Sequence, residues 1–121
     1  LEGVQVHGHV PDLGPLLARA RVGLAPLRFG AGVKGKVNLS MAAGMPVVAT
    51  RCAAEGMHVE HGRDILVADD PAGFAAAVVA LHTDPELWTR LSGAGVDNVR
   101  RHFSFEAARA TIAATLPPSA A

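Results

Sequence analysis

Tyrosine is absent from these 121 residues, and four phenylalanines with one tryptophan leave aromatics at 4%. So little π surface argues against modules that stack unpaired bases on aromatic platforms. Cysteine occurs once, at Cys52, which excludes an intrachain disulfide and fits a reducing compartment. Long apolar runs are lacking. The longest, Phe74 to Leu81, is eight residues, against the roughly 20 that a membrane-spanning helix needs. Net charge is also missing, with 11 basic against 11 acidic side chains. That balance argues against nucleic acid or an anionic membrane as the main partner. There is no internal repeat, no low-complexity tract and no initiator methionine. Leu1 leads almost directly into a strand-like segment, so the N-terminus reads as a truncation with no signal peptide to interpret.

What remains is an ordinary globular composition, 50% hydrophobic and 18% charged, with length for one domain. The zero net charge conceals a local imbalance. No acid lies between Asp12 and Glu55, yet Arg19, Arg21, Arg28, Lys34, Lys36 and Arg51 do. The rest of the chain carries five basic and eleven acidic residues. A segment with cations and no acids cannot pair with itself. It forms either a solvated positive face or a holder for an anion.

Apolar periodicity sets the expected elements. Val4 to His7 alternates as a short strand, and Asp12 is placed to cap a helix running to about Ala20, with Leu13, Leu16 and Leu17 on one face. Val22 to Ala25 reads as a strand stopped by Pro26, and a glycine-rich loop follows through Gly35. A helix over Lys36 to Ala43 ends at Gly44, then Pro46 to Thr50 forms a buried strand. After a polar loop, Ile65 to Ala68 gives a fourth strand.

Thereafter the pattern is helical. Asp70-Pro71 opens a helix burying Phe74, Val78 and Leu81. Asp84-Pro85-Glu86 opens another that buries Leu87, Leu91 and Val99, and Ser104 with Glu106 starts a last one before Pro117. Alternating strands and helices with short loops mean an α/β fold. The expectation is a partial Rossmann-like parallel sheet of about four strands, helices on both faces and a helical C-terminal segment. Residues 1–116 make the domain and 117–121 a loose tail.

The loop from Phe29 to Val37 matches several motifs. As G-x-G-x-x-G, Gly30, Gly32 and Gly35 imitate a dinucleotide fingerprint, with Glu55 twenty residues on. Against that, Pro26 to Phe29 separate the glycines from their strand, and Glu55 falls in a loop. As a phosphate loop, Gly30 to Lys36 fits until Val37, which stands where a hydroxyl must ligate magnesium. A third reading needs no metal. A strand-to-helix turn with free backbone N–H groups, beside Arg28, Lys34 and Lys36, favours an anion. Lysine in a first helical turn costs roughly 0.3–1 kcal/mol against the dipole, a conflict that a diphosphate removes. The plain alternative is that the glycines only make the turn and the lysines face water.

The string Arg28 to Val37, followed by Ser40-Met41-Ala42-Ala43-Gly44-Met45-Pro46-Val47-Val48-Ala49-Thr50, resembles the C-terminal signature of the family 4 ("group 1") retaining glycosyltransferases. Gly8-His9-Val10-Pro11-Asp12-Leu13, Ala54-Glu55-Gly56-Met57 and Gly62-Arg63-Asp64-Ile65-Leu66-Val67 extend that resemblance over nearly the whole chain, in order. The resemblance implies the GT-B architecture, two Rossmann-like domains across a cleft. This chain would be the N-terminally truncated donor-binding half, and the acceptor domain would be its missing partner. Aligned on Gly44-x-Pro46, two glutamates frequent in the family, eight positions apart, are replaced here by Ala31 and Leu39.

The implied reaction is transfer of a sugar from a nucleotide-diphosphate sugar to an acceptor, with retention. Gly30, Gly32, Val33, Lys34 and Lys36 would hold the donor diphosphate. Gly8, His9, Val10 and Asn38 would border the base and ribose, with Ala31, Glu55 and Gly56 near the sugar or ribose. No general acid or base is evident. No metal or other cofactor is expected, since His7 with His9 and His58 with His61 lack a third clustered ligand. Trp88 reads as helix packing and Cys52 as a bystander. Self-association of such a fragment would follow from its uncovered surface. The expected location is the cytoplasm, including the inner face of the membrane. Two other readings stay open, a non-catalytic binding or assembly domain of the same fold, motivated by Ala31 and Leu39, and a phosphate-loop nucleotide hydrolase.

Overall fold

Short runs of small and β-branched residues form the sheet at the centre of this chain, whose computed structural model describes residues 1–119. The elements run α1 (Gly14–Arg19), β1 (Gly23–Ala25), α2 (Gly35–Ala42), β2 (Val47–Ala49), α3 (Arg51–Ala54), β3 (Leu66–Val67), α4 (Pro71–Thr83), α5 (Pro85–Phe103) and α6 (Phe105–Thr115). The strands pair in parallel in the order β1-β2-β3. Their register aligns Ala25 with Ala49 and Ala49 with Val67, so all three strands end at one edge. The loops after them therefore share that edge.

β2 is buried on both faces, as a central parallel strand must be. Val47 and Ala49 point into one core with Val37, Met41, Ala53, Met57 and Ile65. Val48 points into the other, with Leu66, Leu81 and Leu91. The expected faces of α4 and α5 hold: Leu81 and Leu91 are fully buried, with Phe74, Val78 and Leu87 packed around them, while Val99 packs half-buried on the first core. α5 closes tightly on α2, because Gly95 lets Met41 approach within 3.2 Å of the place a Cβ would occupy. α2 ends as expected at Gly44, whose φ of 75° suits glycine. The Gly44 amide donates to Met41 O at 2.9 Å and the Met45 amide to Ser40 O at 2.9 Å, the paired bonds of a Schellman ending.

Three expectations need correction. Val4 to His7 is not a strand, and the sheet among the described residues has three strands rather than four. Alternation alone cannot hold a strand that has no neighbour to bond, and Val4 and Val6 stand 62% and 90% exposed. The stretch after Thr50 is not simply a polar loop, because α3 occupies its start, capped by Thr50 Oγ1 accepting from the Ala53 amide at 3.3 Å. Asp12 caps one residue out of place: its Oδ1 accepts from the Gly14 amide at 2.9 Å, while Leu13 is the helix-flanking residue. α1 buries none of its residues. Of the expected tail, residues 120–121 lie outside the described residues. No helix among the described residues is long and apolar enough to cross a membrane.

Candidate functional site

The strand-end edge gathers two loops around adjoining hollows. The loop after β1 supplies Gly30, Ala31, Gly32 and Val33, and the segment after α3 supplies Glu55 and Gly56, which together line a hollow of about 430 Å³. Glu55 is also a wall of a second hollow, of about 620 Å³, with Arg51, Cys52, Ala54, Val59 and Val67. Arg51 and Cys52 were not among the expected site residues. The available signal was positional, since they follow a parallel strand at the edge where ligands gather in such sheets.

The glycine-rich loop owes its shape to backbone that only glycine adopts readily. Gly30 has φ 148° and Gly32 φ 75°, both in the region disfavoured for residues with a Cβ. Thr50 ties the two loops together. Its hydroxyl donates to Leu27 O at 2.6 Å, and its amide donates to Ala25 O at 3.1 Å. Cys52 Sγ approaches Gly30 O at 3.8 Å, so the expected bystander is part of this junction.

Lys34 occupies the N-cap of α2 and is only 7% exposed. Its Cε lies 3.9 Å from the position a Gly30 Cβ would take, which folds the side chain back beneath the glycine loop. No acid pairs with it among the described residues. The same holds for Arg19, Arg21, Arg28 and Lys36, whereas Arg51 meets Asp69 at 3.5 Å. The acid-free segment thus folds with most of its cations unneutralised, and Lys34, although buried beneath Gly30, is not among the residues that line the hollow. Lys36, in the first turn of α2, is exposed.

Asn38, one helical turn beyond Lys34, does not line the hollow, but its Oδ1 is sealed from solvent without a hydrogen-bond donor. Gly8, His9 and Val10 do not line the hollow either, and no hydrogen bond ties them to the loop. Ala31 does line it, while Leu39 stands 44% exposed on α2. Val37 is a core residue, 1% exposed, and cannot present a metal ligand, which removes the phosphate-loop reading. Trp88 is half-buried and belongs to neither core cluster: its indole N–H donates to Arg21 O at 2.8 Å, in the segment between α1 and β1, with the Arg21 guanidinium 5.6 Å from its ring.

The histidines follow a different arrangement from a metal cluster. His58 stacks on His102 with ring centroids 4.2 Å apart and planes 7° apart. Among the described residues no three of histidine, cysteine, aspartate and glutamate gather as a metal-binding group. The His102 pKa lies below the ordinary histidine value. Desolvation is the first cause, repulsion from His58, Arg101 and Arg63 adds to it, and Asp64 opposes it.

Comparison with known proteins places this geometry. Over 67 residues, 54% of the chain, the sequence is 39% identical to the lipopolysaccharide core biosynthesis glycosyltransferase LpsD of Rhizobium meliloti (strain 1021). The matched part is 20% of that protein's length. The fold superimposes on the sucrose-phosphate synthase of Thermosynechococcus elongatus with a TM-score of 0.69 at 23% identity, covering 85% of this chain and 28% of that one. That likeness concerns the fold, part of a GT-B architecture. Residues 1–84, well over half of the chain, match the family model of the group 1 glycosyl transferases, and the chain belongs to that family.

Proposed function

We propose that this chain binds the nucleotide-diphosphate sugar of a retaining glycosyltransferase, as the donor half of a GT-B enzyme. The observation that carries the reading is Lys34: a buried lysine with no acidic partner, beneath a loop whose glycines leave backbone amides free to face an anion. The diphosphate would take hydrogen bonds from the Gly30, Gly32 and Val33 backbone and the Lys34 ammonium, with exposed Lys36 adding long-range attraction. As the bond from the anomeric carbon to the diphosphate oxygen breaks, charge grows on the leaving group. Fixed donors at that oxygen lower the barrier. The acceptor hydroxyl oxygen forms the new bond on the same face of the sugar, and its proton leaves to the departing diphosphate or to a base outside this chain.

Glu55 stands at the wall shared by both hollows, where it would accept from sugar or ribose hydroxyls in place of the acids absent at positions 31 and 39. Asn38, whose Oδ1 is sealed from solvent and away from the hollow, takes no part in this reading. Gly8, His9 and Val10 are proposed to border the base. A second reading, a domain of this fold without catalysis, is favoured by Ala31 and Leu39 alone.

Calorimetric titration of the protein in its full natural length with uridine and guanosine diphosphates, with and without chelator, tests the proposal. The expected result is millimolar or tighter binding that needs no metal and is lost in Lys34→Ala/Lys36→Ala. Absence of binding to either nucleotide favours the non-catalytic reading.

A further inference from the structure

The amide of Lys34 is not hydrogen-bonded within α2 or its own loop. It donates to the sulfur of Met57, 3.3 Å away and 23 residues along the chain. No side chain caps α2, although its N-cap position is where serine, threonine or aspartate usually does so. Met57 is completely buried, and its own carbonyl accepts from Asn98 Nδ2 of α5 at 2.9 Å. Asn98 is itself 5% exposed. A three-residue chain of contacts therefore runs from α5 through the segment after Gly56 to the residue that starts α2. It also joins the two loops that line the hollow, since Gly56 precedes Met57 directly and Val33 precedes Lys34.

We infer that Met57, held by Asn98, is a positioning residue for Lys34. Thioether sulfur is a weak acceptor, yet here it serves a buried N–H that has no other partner, so its loss leaves that donor unsatisfied. Because Lys34 is the pivot between loop and helix, relaxation there shifts both the ammonium beneath Gly30 and the neighbouring Val33, which lines the hollow. The inference rests on the donor-binding reading for its functional consequence, but not for the contact itself. Leucine matches methionine in volume and hydrophobicity and cannot accept a hydrogen bond, so Met57→Leu isolates the sulfur's role.

The experiment compares wild type, Met57→Leu, Lys34→Ala and the double variant in the full-length protein. Nucleoside diphosphate affinity is read by calorimetry, and Lys34 amide protection by hydrogen exchange. Met57→Leu should weaken binding about five- to thirtyfold and speed exchange at the Lys34 amide about tenfold or more, while adding little further loss in the Lys34→Ala background. Unchanged affinity with a lowered melting temperature, or losses that simply add, would show a merely structural role and overturn the inference. If wild type binds no nucleoside diphosphate, the donor reading fails by itself. The exchange measurement then decides the contact: unchanged Lys34 protection in Met57→Leu overturns it.

Discussion

At Gly32 the backbone φ is 75° and nothing lies within 4 Å of where a Cβ would stand. A side chain there would meet no clash, only the conformational cost of the left-handed region, about 1–2 kcal/mol. Gly32→Ala should therefore lower unfolding stability by about that amount in urea titration, and weaken nucleoside diphosphate binding as the loop relaxes. Equal stability with unchanged affinity would show that the loop's shape is not set by this glycine. The glycines and lysines of the loop were legible in sequence because their chemistry is local: spacing alone shows a strand-to-helix turn rich in cations. What sequence could not show is the difference between the lysines. Lys34 is buried under Gly30 while Lys36, two residues on, faces solvent, a distinction set by where α2 begins. Met57 was equally hidden, since its contact with Lys34 spans 23 residues and methionine reads as generic core.

The helices were read most fully where caps are written in the sequence. Asp84 Oδ1 accepts from the Glu86 and Leu87 amides, each at 3.1 Å, with Pro85 at the first helical position. Asp84→Ala should cost about 1 kcal/mol by thermal or urea unfolding. Asp70 and Ser104 cap α4 and α6 in the same way. Elements that depend on partners were misread. The Val4–His7 pattern satisfies alternation, yet no strand bonds to it in the sheet. α3, four residues long, is too short for any periodicity to appear, and it exists because Thr50 and packing of Ala53 hold it.

The far end of α5 carries its own consequence. The lowered pKa of His102, stacked on His58, means that the unfolded chain binds its proton more readily than the folded one. Stability is then full above the ordinary histidine value of about 6.5 and is lost as pH falls through it toward the folded value. Denaturant midpoints between pH 7.5 and 5.5 should drop more for wild type than for His102→Gln. An identical drop would deny His102 this role.

Across the whole molecule, parallel register makes three strand ends coincide, and that single fact puts the glycine loop, α3 and the Glu55 segment side by side. The sequence resemblance located the family and singled out the glycine loop. The second hollow, walled by Arg51 and Cys52, came only from the register. Donor binding as proposed requires an anion seated between the glycine loop and Lys34. A crystal structure of the protein with a bound nucleoside diphosphate measures this directly. Phosphate oxygens are expected within about 3.2 Å of the Gly32 or Val33 amide and of Lys34 Nζ, with Glu55 facing the ribose or the sugar side. A diphosphate bound elsewhere, with Lys34 still tucked beneath Gly30 and touching no phosphate, would contradict it.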